Sequence, residues 1–270
     1  MKYKIVQTQE GSATLYSYQY QEHYHSLSGA WQEALERYVL PCGILPHLQH
    51  FEEISILDVG FGLGFNAVCA LNTIQNANFT QQKKVYLLSL ENDQELLSYL
   101  PNLPIPPKFS KIYTYALQFS YWDFQKKKHT IAFHLGPKVE VKWQMYLGNA
   151  QNTLSLCNQK FDAVFLDPFS PAKNPELWSL DFLRSLYAKT HPKRGILSTY
   201  SSAIHVRVRL MASGFSICPG PRVGTKSSGT LATIERPLPS QFSPKYLRKL
   251  NRRLQRYLQN ISMKTPPPKS

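Results

Sequence analysis

Short, largely apolar runs along this chain are separated by amphipathic stretches, a rhythm that predicts buried strands alternating with helices. The clearest run is Ile54–Val59, followed by glycines at 60, 62 and 64 and a helical pattern over Phe65–Ile74. Val85–Leu90 reads as a second strand closed by Glu91, with a helix expected from Asp93 to Leu100 before the rigid break PNLPIPP. Phe161–Leu166 is a third strand, ending in Asp167-Pro168-Phe169, and Pro175–Thr190 reads as mostly helix. Gly195–Tyr200 is a further strand, and Ala203–Ser213 a helix stopped by Gly214. FSICPGP and GTLATIERP form a final strand pair around a Gly/Ser-rich loop at 220–229. The pattern predicts an α/β, doubly wound, mostly parallel sheet ending in an antiparallel strand pair.

Three stretches fall outside this rhythm. Alternation over residues 3–20 predicts a β-hairpin turning at Glu10-Gly11-Ser12, then a polar loop holding Tyr24, His25 and Ser26. Ser28 would cap a helix over Ala30–Val39, stopped by Pro41 and Gly43. Residues 109–147 crowd aromatic side chains, turn at Lys126–Lys128, and close with HTIAFHL and KVEVKWQMYL as two paired strands. LGNAQNTLSL follows as a Gly-Asn loop and helix start. From Pro244 onward, Leu247, Leu250, Leu254, Tyr257, Leu258 and Ile261 share one helical face. Lys245, Arg248, Lys249, Arg252, Arg253 and Arg256 surround that face, and Pro266–Pro268 end it. The expected organisation is residues 1–50 as hairpin and helix covering the site, 51–240 as the central domain, and 241–270 as a basic amphipathic helix with a Pro-rich tail.

Charge placement sharpens the picture. Residues 1–188 carry 15 Lys/Arg and 16 Asp/Glu, whereas 189–270 carry 16 Lys/Arg and one acid, Glu235. A basic third on an otherwise neutral chain predicts a polyanionic partner, with nucleic acid favoured over an anionic membrane or a merely solubilising surface. The four cysteines stand apart with no CxxC pair, which fits a reducing cytoplasm and predicts neither metal nor a disulfide framework. No apolar run reaches membrane-spanning length, and the N-terminus lacks a signal-peptide core.

In a wound parallel sheet, ligands bind beyond the carboxyl ends of the strands, so the loops after Val59 and Leu166 should open onto one crevice. The dinucleotide fingerprint G-x-G-x-x-G fails, because position 65 is Phe. D-x-G-x-G-x-G suits S-adenosylmethionine, which has no pyrophosphate to cradle, and Glu91 stands where a ribose hydroxyl pair would be bound. A solvated strand-end carboxylate is the competing reading of Glu91, as core packing is for Trp178. Asp167-Pro168-Phe169 resembles the D/N-P-P-Y/F loop with which amino-methyltransferases hold an exocyclic amine.

LDPFSPAKNPELWS is similar to the signature loop of the methyltransferase domain of MnmC-type tRNA 5-methylaminomethyl-2-thiouridine biosynthesis enzymes. YHSLSGAWQEAL, DVGFGLGFN, LLSLEND and LSTYSSAIHVRVRLMASGF match the same family in the same order, over about residues 16–217. The resemblance implies a Rossmann-like class I S-adenosylmethionine-dependent methyltransferase that methylates the aminomethyl group of wobble uridine in tRNA. It implies Asp167 at the amine, with Gly60, Gly62, Gly64, Asn66, Glu91, Asn92, Gly148, Asn149 and Asp167 itself around the cofactor. Tyr24, Glu33, Phe169, Lys173, Asn174, Trp178 and Arg207 are implied on the substrate side, and tRNA is expected on the basic C-terminal third. Departures are Pro168 for the family's Gly, Asn149 for an acidic residue in the adenine loop, and PRVGTKSSGTLA for a basic segment. With about 35 residues after the sheet, no FAD domain is expected, so separate enzymes would make the aminomethyl intermediate. Two rivals stand beside this reading: an aminopropyltransferase-like enzyme on a small amine, and a non-catalytic RNA-binding protein.

Overall fold

The computed structural model describes residues 2–264 apart from 9, 10, 12, 26–28, 122, 124, 224–227 and 239. The expected turn residues Glu10 and Ser12, the cap Ser28, Ser26 and Pro266–Pro268 lie outside the described residues. The chain opens with a small antiparallel sheet of β1 (Tyr3–Gln7), β2 (Ala13–Ser17) and β3 (Glu22–His23). Helix α1 (Ala30–Ala34) runs on through a π turn at Leu35–Val39, and α2 (Ile44–His50) follows. The alternating part is β4 (Glu53–Val59), α3 (Phe65–Gln75), β5 (Lys83–Glu91), α4 (Gln94–Tyr99) and α5 (Pro107–Leu117). It continues through β6 (Lys128–His134), β7 (Val139–Leu147), α6 (Ala150–Thr153), β8 (Ala163–Leu166), α7 (Leu180–Lys189), β9 (Ile196–Thr199) and α8 (Ile204–Ala212). β10 (Ser216–Pro219), β11 (Thr230–Thr233) and α9 (Pro244–Lys264) close the chain.

Eight strands form one sheet in the order β10-β11-β9-β8-β4-β5-β7-β6. β9, β8, β4, β5 and β7 are parallel, while β11 and β10 pair antiparallel at one edge and β6 antiparallel to β7 at the other. The expected closing pair is therefore present, and the pair HTIAFHL/KVEVKWQMYL forms the opposite edge of the same sheet. Period-two alternation divides the core. Ile54, Ile56, Val85 and Leu87 face α3 and α5, whereas Leu57, Val59, Leu88 and Leu90 face α7 and α8. Burial on both faces explains why these strands read as apolar runs.

Two helices were not expected. Pro107 occupies the first turn of α5, where its missing N–H costs nothing, and Phe109, Ile112, Tyr113 and Ala116 make one buried stripe. Gly43, at φ 67°, ends the preceding helix and lets α2 begin. The C-terminal helix docks on α8 through fully buried Leu250, with Tyr246, Leu247, Leu254 and Tyr257 packed beside it. Its apolar face is covered over the first turns only, since Leu258 is 42% exposed. Among the described residues, no helix is long and apolar enough to cross a membrane.

Candidate active site

Strand order reverses at β4, whose neighbours are β5 on one side and β8 on the other. The loops leaving β4 and β8 consequently meet at the carboxyl edge of the sheet. A Cβ on Gly60 would lie 2.9 Å from the Asp167 carbonyl oxygen, and Gly60 has φ 85°, so no other residue fits there without movement. The loop is fixed by backbone bonds from Gly60 and Phe61 to the Leu90 carbonyl (3.1 and 3.0 Å) and from Tyr113 Oη to the Leu63 carbonyl (2.8 Å). Below it, Asp58 is fully buried, accepts from Ser89 Oγ at 3.0 Å, and is pushed well above the usual carboxylate range by burial.

A cleft of about 770 Å³ lies over these loops, within the size of cofactor sites. Eleven expected site residues line it: Tyr24, Glu33, Gly60, Gly62, Glu91, Asn92, Gly148, Asn149, Asp167, Phe169 and Asn174. On one side Glu91 accepts from the backbone N–H groups of Gly62 (2.8 Å), Asn92 (2.8 Å) and Asp93 (2.9 Å). Burial raises its pKa while these donors oppose the rise. Asn149 caps α6 by accepting from the Gln151 N–H at 2.8 Å, and Gly148 N–H donates to the Glu91 carbonyl at 2.8 Å. On the other side Asp167 Oδ1 accepts from Tyr38 Oη (2.5 Å) and Oδ2 from Asn66 Nδ2 (2.8 Å). The Phe169 ring stacks on Tyr20 with centroids 4.2 Å apart and meets the edge of Tyr24 at 4.8 Å.

The remaining expected residues sit elsewhere. Gly64 caps α3 at φ 80°, and a Cβ there would strike the Phe61 ring at 2.7 Å. Asn66 is behind the cleft on Asp167. Lys173 is exposed and reaches Gln21 Oε1 at 3.4 Å. Trp178 is fully buried, its Nε1 donating to the Phe169 carbonyl at 2.9 Å, so it supports the loop from beneath. Arg207 is 5% exposed and holds the C-terminal segment. Its Nε donates to Thr230 Oγ1 (2.9 Å), Nη1 to Tyr246 Oη (2.8 Å) and Nη2 to the Gly229 carbonyl (2.9 Å), with Phe242 against its guanidinium. Substrate contact is not what this geometry provides for Arg207 or Trp178.

The sequence placed residues 1–50 over the site but did not identify the side chains that fasten this roof. Lys2 pairs with Asp93 at 2.6 Å, Tyr3 Oη also donates to Asp93, and Glu22 accepts from Ser170 N–H (3.0 Å) and Ser170 Oγ. These contacts tie the N-terminal sheet to both rims of the cleft. Glu22, Glu33, Glu91, Asp93, Asp167 and Glu176 all line it, and among the described lining residues Lys2 is the one Lys or Arg. In a chain of net charge +14 the cleft is an acidic island. The glycine cradle, the Glu91 carboxylate beside it and the cleft's dimensions suit a cationic nucleoside such as S-adenosylmethionine.

A family model for S-adenosyl-L-methionine-dependent methyltransferases matches residues 108–235. The crystal structure of MNMC2 from Aquifex aeolicus superposes with a TM-score of 0.76 at 34% identity, covering 92% of this chain and 75% of that one. An uncharacterised protein of Methanocaldococcus jannaschii, MJ0670, is 29% identical over 84% of this chain and 58% of its own length. The bifunctional tRNA 5-methylaminomethyl-2-thiouridine biosynthesis protein MnmC of Acidovorax sp. is 28% identical over 82% of this chain and 34% of its own. The chain thus spans little more than half of the first of these curated relatives and about a third of the second.

Proposed function

The chain belongs to the MnmC2 family of S-adenosyl-L-methionine-dependent methyltransferases, and from that premise we propose that it methylates the aminomethyl group of wobble uridine in tRNA, giving 5-methylaminomethyl-(2-thio)uridine. The observation that carries this is the acidic cleft set in a basic protein. A polyanionic RNA would be drawn to the basic outer surface, while the cleft selects a cationic group at its centre. An alkylammonium on a nucleobase has that combination of charges.

In this reading Gly60, Gly62, Gly148 and Asn149 frame the cofactor and Glu91 meets its ribose. The cofactor supplies an electrophilic methyl group to a nitrogen lone pair. Asp167 faces the amine and accepts its hydrogen bond, which aims the lone pair and supplies the orientation on which displacement depends. Tyr20, Tyr24 and Phe169 present aromatic faces beside it for the nucleobase. Residues 1–50 act as a cover over the site, 51–240 as the catalytic domain, and 241–270 as an RNA-binding arm. The aminomethyl nucleoside itself would be supplied by a separate reaction that precedes this one. An aminopropyltransferase-like reaction finds less support, since a small amine gives no reason for the basic face of α9.

Incubation of purified protein with labelled S-adenosylmethionine and tRNA bearing the aminomethyl nucleoside tests the proposal. Label should enter that tRNA and not tRNA lacking the modification. Label in both, or in a free polyamine instead, would reject it.

A further inference from the structure

Two buried side chains that the proposed chemistry leaves unused meet the Asp167 carboxylate from behind. Tyr38 Oη donates to Oδ1 at 2.5 Å and Asn66 Nδ2 to Oδ2 at 2.8 Å. Neither lines the cleft, and their exposures are 1% and 3%. They arrive from separate elements, Asn66 from the first turn of α3 and Tyr38 from the π turn of α1.

That π turn is an independent sign of a special position. Leu40 N–H bonds to the Leu35 carbonyl at 2.9 Å, one residue further back than an α-helix allows. Such turns are rare and concentrate where a helix must re-aim a side chain for function. The turn is held from outside as well. Ser198 Oγ donates to the Arg37 carbonyl at 2.5 Å, and Arg37 Nε lies 3.7 Å from Glu33 Oε1. Its register therefore cannot drift without breaking contacts to β9. Burial and then the neighbouring Asp167 raise the Tyr38 hydroxyl well above its ordinary range, so it remains a donor.

We infer that Tyr38 and Asn66 are positioning residues that hold Asp167 as a fixed, ionised hydrogen-bond acceptor, so that Asp167 orients the substrate amine without keeping its proton. This rests on the amine methylation proposed above. An ionised carboxylate offers about four acceptor sites, and Tyr38 and Asn66 each fill one of them, one on either oxygen. Donors to the charged form make a carboxylate a poorer base. The substrate nitrogen therefore gives its proton to solvent, passing from R–NH₃⁺ to R–NH₂. One N–H then donates to Asp167 while the lone pair stays free to form the N–CH₃ bond. The sulfonium S–CH₃ bond would break as it forms, its electron pair remaining on sulfur in S-adenosylhomocysteine, and the methylated product is R–NH₂⁺–CH₃.

The test is Tyr38→Phe, which removes one hydroxyl and keeps the ring on Phe165, its centroid 5.8 Å away. With Asp167 less occupied, the bound ammonium is held more strongly. The acidic limb of the kcat–pH profile should then move up by about one unit. At fixed pH kcat should fall about tenfold, with KM and S-adenosylmethionine affinity within about threefold, the size of one charge-assisted hydrogen bond. A readout without turnover is calorimetric binding of an aminomethyl-uridine anticodon stem-loop to protein saturated with S-adenosylhomocysteine. There the pH at which binding couples to proton release should rise in the same sense. Asn66→Ala removes the donor on the other oxygen and should shift both readouts the same way, which keeps the test decisive if Tyr38→Phe folds poorly. An active wild type with unmoved pH dependence in the variants, or a variant that loses thermal stability alone, overturns the positioning role. A wild type that transfers no methyl group to the aminomethyl nucleoside rejects the reaction itself, and this inference with it.

Discussion

The Gly62 N–H donates to Glu91 Oε2 at 2.8 Å, joining the glycine loop after β4 to the end of β5. Glu91 thus does two things: it holds three backbone donors, and it presents the rest of its carboxylate to the cleft. Glu91→Ala leaves those donors without a partner and is expected to weaken S-adenosylmethionine binding by about 1.5–3 kcal/mol. Glu91→Gln, which keeps one acceptor oxygen, should lose less. Calorimetry giving wild-type affinity for both variants would make Glu91 a bystander.

Arg207 predicts a different phenotype. It is buried with every donor group engaged by Thr230, Tyr246 or Gly229, so Arg207→Ala removes the clamp between α8, β11 and α9. A loss of about 3 kcal/mol in folding stability is expected, as for other buried hydrogen-bonded charges. Cofactor affinity of the protein that remains folded should be unchanged. A stable variant with weakened RNA binding would instead return Arg207 to the substrate side.

Asp58 gives a pH dependence of definite sign. Its folded pKa is raised by burial, so the native state holds this proton at pH values where the unfolded chain, titrating near roughly 3.9, has released it. The group therefore costs stability progressively as pH rises from about 4 through the raised folded value. Asp58→Asn does not titrate, and its melting temperature relative to wild type should climb over that window. A pH-independent difference would show that Asp58 is not the group responsible.

The basic face of α9 is checked by reversing Arg252, Arg253 and Arg256 to Glu, all three exposed, while the anchors Leu250 and Leu254 stay in place. If these side chains meet phosphates, the slope of log tRNA affinity against log salt should flatten by about 2–3 units. Folding and cofactor affinity should not change. Wild-type affinity and slope would mean that RNA binds another surface.

Much of this was legible in the chain because local and global signals agree. Strands buried on both faces read as apolar runs, and Asp167 and the glycines were placed at one crevice by the topology that such runs imply. The sequence hid residues whose burial gives them the look of core. Tyr38 lies in an apolar stretch, and only the π turn aims its hydroxyl at Asp167. Arg207 misled in the opposite direction, since an Arg near signature residues suggests contact with a nucleotide whereas packing claims it. For Trp178 the competing expectation of core packing is the one the structure shows. Helix α5 was obscured by its aromatic content, although Phe109, Ile112, Tyr113 and Ala116 have helical spacing. The contacts of Lys2, Tyr3 and Glu22 that fasten the roof depend on pairings across 90 residues or more, which one-dimensional pattern cannot carry.

The most direct test of the account is mass analysis of the wobble nucleoside. tRNA carrying 5-aminomethyl-2-thiouridine would be incubated with S-adenosylmethionine and either wild type or Asp167→Ala, with cofactor affinity measured alongside. The account predicts that wild type adds the mass of one methylene to that nucleoside. It predicts that the variant adds none while binding the cofactor within about threefold of wild type, since Asp167 faces the amine rather than the adenosine. Near-normal methylation by Asp167→Ala, or methylation by wild type at another nucleoside, would contradict it.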